Sequence, residues 1–208
     1  MREILLSTAY LPPIEYFAYL IQYDICKIEN KEHYIKQSYR NRCSIITANG
    51  LLNLCIPVNK VDGNHTFTKD IRISNVSNWQ INHWRAIESA YNKSPFFLYY
   101  KDDLLKFYMK RYESLIDFNS DLLKFILKKT GISVVINFTD DFIPLNEHKD
   151  DFRYSFSAKA FDEKGKFPHY YQVFENKHGF IPNLSIIDLL FNEGPESKFY
   201  LENLATKI

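Results

Sequence analysis

The sequence is poor in the residues that build disulfide frameworks and metal sites. Its 208 residues include only three cysteines, Cys26, Cys43 and Cys55, which are widely spaced and form no CxxC pair. An odd number of unclustered cysteines predicts free thiols in a reducing compartment, and therefore a cytoplasmic protein. No set of His, Cys and carboxylate residues has a recognised metal-ligand spacing, so no metal is expected, and no pattern identifies a cofactor.

Glycine is also scarce, with six residues in the chain, and the motifs that depend on it are missing. The loop Tyr10–Pro13, which follows the first apolar run, contains no glycine. This excludes a phosphate cradle of the G-x-G-x-x-G or Walker type in that loop. No G-x-S-x-G segment is present either, which excludes the nucleophile elbow of an α/β-hydrolase.

Neither an excess of charge nor a long apolar run is present. Lys and Arg number 26 against 25 Asp and Glu, a net charge of +1, so no general field attracts nucleic acid. The apolar N-terminal segment is interrupted by Glu3, Pro12, Pro13 and Glu15, which argues against a signal peptide or a membrane span. Any basic patch must therefore be local.

The chain does have enough apolar residues to build a sizeable core, because 46% of it is hydrophobic and 25% charged. After Phe142 the composition changes to polar clusters separated by short aromatic segments. We therefore predict an α/β core domain over residues 1–140 that carries the site. Residues 141–208 should form a C-terminal extension that folds back on it. Nothing in the sequence indicates the oligomeric state.

A strand–helix–strand unit opens the chain. Ile4–Thr8 is a short apolar run, Glu15–Tyr23 has apolar residues at helical spacing, and Ile25–Ile28 is a second apolar run. This order predicts one parallel crossover unit, in which the loops after the two strands emerge at the same edge of the sheet. The loop at Tyr10 and the segment after Ile28 should therefore lie close together.

Two further strand signals follow. Asn49 and Gly50 separate the strand-like runs Cys43–Ala48 and Leu51–Val58, which predicts a hairpin with a type I′ turn. The β-branched run Ile132–Phe138 predicts a buried strand.

Helical periodicity predicts three more helices, over residues 77–92, 102–116 and 119–129. Ser77 and Gln80 form a capping box for the first, and Gly131 ends the third. The alternation of strands and helices indicates a Rossmann-like layered α/β domain with a mainly parallel sheet and flanking helices. The C-terminal extension is expected to be mainly irregular, with short strands and one helix capped by Ser185.

The stretch Glu29–Cys43 concentrates cationic and reactive groups where a segment needed only for folding would alternate apolar residues. Lys36, Arg40 and Arg42 could clamp an anionic substrate, since arginine offers paired donors to phosphate and carboxylate. Asn41 could serve as an orienting donor. The competing interpretation is a solvated, charged connection between two elements.

Other residues complete the candidate site. Flat surfaces on which a ring could stack are offered by Tyr10, Tyr34 and Tyr39. The candidate catalytic residues are His33 or His83, as general acid or base near neutral pH, together with Glu29. For His83 the alternative is a boundary residue that hydrogen-bonds a backbone carbonyl.

At KQSYRNRCSI the sequence resembles the WbqC-like family, whose members share an N-terminal x-Y-x-P loop, a later acidic residue and a K-x-S-Y-x-N-R segment entering a strand. The matching positions are Tyr10–Pro12, Glu29, Lys36, Ser38, Tyr39, Asn41, Arg42, Ile56–Val58, Trp79, His83, Ile87, Tyr91, Ser94–Phe96 and NLSIIDLLFNEGP near the C-terminus. The sequence departs from the family where Gln-Pro usually precedes the first aromatic residue, because Thr8 and Ala9 stand there.

The resemblance implies an enzyme of surface polysaccharide biosynthesis, such as O-antigen or capsule, that transfers an acyl or aminoacyl group to a nucleotide-linked amino sugar. The pyrophosphate of such a substrate is a group that Lys36, Arg40 and Arg42 would neutralise. The main alternative is a non-catalytic module that binds a sugar precursor or a partner enzyme. Binding of RNA or DNA through the basic, Tyr-rich stretch conflicts with the near-neutral net charge.

Overall fold

The computed structural model describes residues 1–156 and 167–208. In chain order its helices and strands are β1 (Glu3–Ser7), α1 (Ile14–Leu20), β2 (Ile25–Glu29), β3 (Arg42–Thr47), β4 (Gly50–Cys55), β5 (Val58–Asn59), β6 (Arg72–Ile73), α2 (Trp79–Tyr91), α3 (Phe97–Met109), α4 (Leu115–Thr130), β7 (Val135–Phe138), α5 (Glu175–His178), α6 (Ile186–Glu193) and α7 (Ser197–Ala205). This arrangement confirms the predicted α/β class.

A three-stranded parallel sheet lies at the centre, in the order β1-β2-β7. The helix α1 connects β1 to β2, so the predicted crossover unit is confirmed. Ser7 pairs with Glu29, and Ile28 pairs with Phe138, so all three strands end at the same edge. The segments that follow them meet there, as expected for a parallel sheet, and a Rossmann-like arrangement is compatible with this order.

The last strand of the sheet, β7, is not buried as predicted. Within the described ranges it pairs with β2 alone, and Val135 and Phe138 are 57% and 44% exposed. A β-branched run is equally suited to an edge strand, and the position of the strand in the sheet is not encoded in its composition. Helix α4 ends as predicted, with Gly131 in the left-handed region at φ 71°.

The predicted hairpin is confirmed, but its turn type is wrong. Strands β3 and β4 pair antiparallel with Thr47 opposite Gly50, so the loop residues are Ala48 and Asn49. A type I′ turn needs positive φ at both loop residues, and only Gly50, the residue after them, has one, at 101°. The positive φ of this hairpin therefore lies at Gly50, directly after the turn.

The predicted capping box before α2 is also wrong. Asn78, not Ser77, is the N-cap residue, and no side chain caps that helix end. The amide of Gln80 instead donates to the carbonyl of Lys110. The Gln80 side chain, which a capping box would use, therefore makes a tertiary hydrogen bond instead.

The C-terminal part is more helical than predicted. Helix α6 follows Ser185 as expected, although the hydroxyl of Ser185 donates to the carbonyl of Leu11 instead of capping the helix. Helix α7 had no predicted counterpart and contacts α1. Among the described residues after 141, pairing is limited to isolated bridges at Asp151 and Ser185, so the expected short strands are absent there. The division at residue 140 stays a prediction.

One hydrophobic core joins the N-terminal and C-terminal elements. It includes Leu6 of β1, Phe17 of α1, Leu189 of α6 and Leu201 of α7, all of them fully buried. No helix in the described ranges is long and apolar enough to cross a membrane. The thiols of Cys26, Cys43 and Cys55 are free, and the first two are buried.

Candidate functional site

Five charged side chains, four of them buried and that of Asp151 partly buried, form a group that we call the ion cluster: Glu29, Glu32, Arg40, Asp151 and Arg153. The Nε and Nη2 atoms of Arg40 lie 2.7 and 2.6 Å from Oε1 of Glu32. The side chains of Arg40 and Glu32 are 4% and 1% exposed. The Arg40 guanidinium is therefore held by an internal partner and is not presented to solvent.

Glu29 stands at the end of β2, where the three parallel strands finish, and its carboxylate is fully buried. Oε1 accepts hydrogen bonds from the backbone N–H of Lys31 and the hydroxyl of Thr139, both at 2.9 Å. Oε2 accepts from the backbone N–H of Ile143 at 2.9 Å and from Arg153 at 3.3 Å. Four donors occupy this carboxylate, so its geometry favours joining chain segments over proton transfer.

The pKa values of the ion cluster reflect burial against neighbouring cations. Burial raises the pKa of Glu32 above its ordinary value, and Arg40 opposes that rise. Burial alone would also raise the pKa of Asp151, but the hydrogen bonds and charge of Arg153 bring it below its ordinary value. The guanidiniums of Arg40 and Arg153 thus form ion pairs with the three carboxylates of the cluster.

His83 and Tyr10 lie in an aromatic core. The hydroxyl of Tyr10 is 3.0 Å from Nδ1 of His83 and 2.7 Å from the hydroxyl of Tyr108. The His83 ring also packs edge-on against Trp79, with ring centroids 5.2 Å apart. Burial lowers the pKa of His83 to about 4, so its ring is neutral at physiological pH. Tyr10 is fully buried, so its ring has no face for a ligand.

Tyr39 and His33 differ in accessibility. Tyr39 is 7% exposed, its carbonyl accepts the backbone N–H of Tyr10, and burial raises its pKa to about 12. His33 is exposed, with Nδ1 3.0 Å from the carbonyl of His65. A carbonyl only accepts, so Nδ1 carries the proton and Nε2 is the free acceptor. Of the three candidate catalytic residues, His33 has the side chain most exposed to a ligand. Its catalytic role stays a prediction.

The remaining candidates converge on a hollow of about 400 Å³, which we call the anion pocket. Its lining residues are Tyr34, Lys36, Gln37, Asn41, Arg42, Val58 and Lys60. Three of the seven are cations and none is a carboxylate. The pocket therefore brings together Lys36, Asn41 and Arg42 of the predicted site, while Arg40 lies in the ion cluster.

Polar groups in this pocket have unused hydrogen-bonding capacity. In the described part of the chain, Nε of Arg42 and Oδ1 of Asn41 are buried without a hydrogen-bond partner. The amide nitrogen of Asn41 is fixed by the carbonyl of Ile56 at 2.8 Å. Desolvation, followed by the neighbouring charge of Lys36, lowers the pKa of Lys60. Uncompensated positive charge that lowers the pKa of a neighbouring ammonium favours binding of an anion.

The pocket is built from three chain segments. The backbone N–H of Tyr34 donates to the carbonyl of Thr66, which holds the loop after β5 against the stretch after β2. Arg42 begins β3, and Lys60 follows β5. Gln37 has φ 56°, a left-handed conformation that costs free energy for a residue other than glycine and is common at ligand sites.

Sequence reasoning missed Lys60, Glu32 as the partner of Arg40, and Arg153. Lys60 belongs to a polar loop with no motif, and Arg153 lies in an aromatic segment, 124 residues from Glu29, one of the two carboxylates that it pairs with. No local pattern could have indicated either contact. The excess of cations over acids at positions 36–42 was the usable signal, and it identified part of the pocket.

Comparison with known proteins gives a consistent result. The chain is 27% identical over 228 residues to the uncharacterized protein Rv1507c of Mycobacterium tuberculosis, covering 97% of this chain and 98% of that protein. No solved structure matches the chain significantly. The model of the WbqC-like protein family matches residues 8–164 and 148–200. Because these matches span most of the sequence, the chain belongs to the WbqC-like protein family.

Proposed function

We propose that the protein is a cytoplasmic enzyme of surface polysaccharide biosynthesis, of the O-antigen or capsule type, that modifies a nucleotide-linked amino sugar by acyl or aminoacyl transfer. The resemblance stated above suggests the pathway, and the anion pocket supplies the physical support. In this proposal the pocket holds the pyrophosphate of the substrate.

The observation that carries the proposal is the charge composition of the pocket. Lys36, Arg42 and Lys60 line one hollow without a carboxylate, although the whole chain has nearly equal numbers of acids and bases. Arg42 would supply paired donors to phosphate oxygens, and the two lysines would act as point charges. A hollow of about 400 Å³ also falls in the size range of small-molecule sites.

The first experiment is a thermal-shift and calorimetric screen against nucleotide-linked sugars, with inorganic pyrophosphate as competitor. A ligand at about 100 times its dissociation constant should raise stability by about 2.7 kcal/mol. Arg42→Ala should abolish binding and activity with little change in the melting temperature of the free protein. Should Arg42→Ala unfold the protein, Lys36→Gln provides the second test, since Lys36 is exposed.

The matched control is Lys124→Gln, which removes the same charge from an exposed position of α4 outside the pocket. It should leave ligand binding unchanged. If the Lys124 and Lys36 variants lose affinity equally, a diffuse field and not a pocket is responsible, and the proposal fails.

The alternative, a non-catalytic binding module, makes a different prediction. Incubation with sugar nucleotides and acyl or aminoacyl donors, followed by mass spectrometry, should give a modified sugar if the protein is an enzyme. Saturable binding without any product would favour the module.

A further inference from the structure

A second hollow lies beside the anion pocket and has the opposite character. It measures about 380 Å³, and its lining residues are Lys31, Glu32, His33, Ile35, Phe67, Phe142 and Tyr154. We call it the aromatic hollow. Its four large apolar side chains are each between 41% and 47% exposed. Single exposed apolar residues are ordinary, but four of them around one hollow are typical of a ligand site.

The two hollows share a wall. Along the segment 33–36, His33 and Ile35 line the aromatic hollow, whereas Tyr34 and Lys36 line the anion pocket. A third, smaller hollow of about 180 Å³ has Ile35 and Tyr154 in common with the aromatic hollow and Gln37 in common with the anion pocket. Alternate side chains of the segment 33–36 thus line the two hollows on its opposite sides. The third hollow, at Ile35 and Gln37, borders both of them.

Two of the charged groups of the aromatic hollow are engaged outside it. Nζ of Lys31 is 3.0 Å from a carboxylate oxygen of Asp141, and Oε1 of Glu32 binds Arg40. Three of the four exposed apolar side chains, those of Phe67, Phe142 and Tyr154, are aromatic. The rings of His33 and Phe67 are stacked on each other, nearly parallel at 10° with centroids 5.1 Å apart, which holds both rings in one orientation.

Cations surround these rings. The guanidinium carbon of Arg153 is 5.5 Å from the ring centroid of Phe142 and 5.7 Å from that of Tyr154, and Nζ of Lys69 is 5.8 Å from that of Phe67. A positively charged ligand would have to compete with these groups for the faces of the rings, at a cost in affinity. A flat, uncharged ring would stack on the same surfaces without that penalty.

We propose that the aromatic hollow is a stacking site for the uncharged heteroaromatic ring of a nucleoside. This inference rests on the proposed function, in which the nucleoside is the carrier half of a substrate whose phosphates occupy the anion pocket. The segment 33–36 would then lie between the base and the phosphates. The part of the ligand that links the base to the phosphates would pass around Ile35 and Gln37.

The test uses nucleosides, which carry no phosphate, and the full-length protein. Uridine, thymidine, cytidine, adenosine and guanosine are titrated by calorimetry and ligand-observed NMR at low and high ionic strength, with ribose as the control that lacks the base. At least one nucleoside should bind with an affinity independent of salt, and ribose should not bind. Phe67→Ala should weaken the binding about fivefold or more, because stacking on one aromatic side chain contributes about 1–3 kcal/mol.

Two controls separate this inference from the proposed function. Phe199→Ala removes a phenylalanine that is 67% exposed on α7 and outside the hollow, and should leave nucleoside binding unchanged. Lys36→Gln should weaken pyrophosphate binding but not nucleoside binding. If sugar nucleotides bind whatever their base while free nucleosides do not, the stacking site is refuted and the proposed function survives. If nucleosides bind and pyrophosphate does not, the stacking site survives and the proposed function is refuted.

Discussion

The ion cluster and the anion pocket both draw charged residues from the stretch Glu29–Cys43, yet they differ in how their charges are compensated. Arg40 in the ion cluster is 4% exposed and bound to Glu32, and Arg153 is bound to Glu29 and Asp151. Arg42, two residues after Arg40, begins β3 and lines a hollow that contains no carboxylate.

This difference separates architecture from binding. Removing one partner of a buried ion pair leaves an uncompensated charge in a poorly solvated place, so the cluster should act mainly on stability. Cations that face a hollow without acids have no such partner to lose, so they should act mainly on ligand affinity. The two regions therefore predict opposite phenotypes for similar substitutions.

The largest expected effect is on the ion cluster. Arg153→Ala should lower the free energy of unfolding by about 3–5 kcal/mol, because Glu29 and Asp151 would keep buried charges without a cation. Urea denaturation measures this loss. Arg111→Ala is the control, since its pair with Glu113 is largely exposed and should contribute about 1 kcal/mol or less. Equal effects of the two substitutions would remove the distinction between the regions.

A buried carboxylate that has no cationic partner in the ranges 1–156 and 167–208 sharpens the comparison. Asp188 accepts hydrogen bonds from Tyr170 and Gln172, both neutral, and burial raises its pKa from 3.8 to about 6. The folded state holds its proton more tightly than the unfolded state, so the contribution of Asp188 to stability is present below pH 3.8 and is lost as the pH rises through 6.

The Asp188→Asn variant should remove this dependence. The stability of the unmodified protein relative to this variant should fall by about 3 kcal/mol between about pH 4 and about pH 7, since a shift of one pKa unit corresponds to about 1.4 kcal/mol. Thermal unfolding across that range measures the difference. A constant difference would show that the Asp188 carboxyl titrates normally.

Lys36→Gln should have an intermediate effect, confined to binding. Pyrophosphate affinity should fall about tenfold or more, since a charge-assisted hydrogen bond contributes about 1.5–3 kcal/mol. The free energy of unfolding should change by about 0.5 kcal/mol or less, as for other exposed positions. A large loss of stability would place Lys36 with the ion cluster and not with the pocket.

The smallest expected effect concerns Lys60. Desolvation and the charge of Lys36 lower its pKa, so its ammonium loses the proton at a lower pH than an ordinary lysine does. A bound anion would restore the proton, and pyrophosphate binding at alkaline pH should therefore take up protons from the buffer. Calorimetry in buffers of different ionisation enthalpy measures this uptake. Lys60→Arg should keep the affinity and abolish the uptake; uptake that persists in the variant would exclude Lys60 as its source.

Much of the fold could be predicted because its signals are local. The apolar runs of β1 and β2, the Asn-Gly pair at the hairpin and Gly131 after α4 each depend on neighbouring residues. The predictions that were wrong concern features that depend on residues distant in the sequence. The exposure of β7 depends on which strands lie beside it, and the Gln80 side chain is taken by a carbonyl 30 residues away.

For the site, the sequence by itself determined which stretch concentrates the cations, because a run of cations and tyrosines without apolar alternation is visible without any coordinates. Only the tertiary structure decided which of those cations has a carboxylate partner among the described residues. Arg40 and Arg42 have the same chemistry and nearly the same position in the chain, but Arg40 meets Glu32 in the interior while Arg42 meets Lys36 and Lys60 across a hollow. Charge is a property of a residue, whereas its compensation depends on partners that folding brings together.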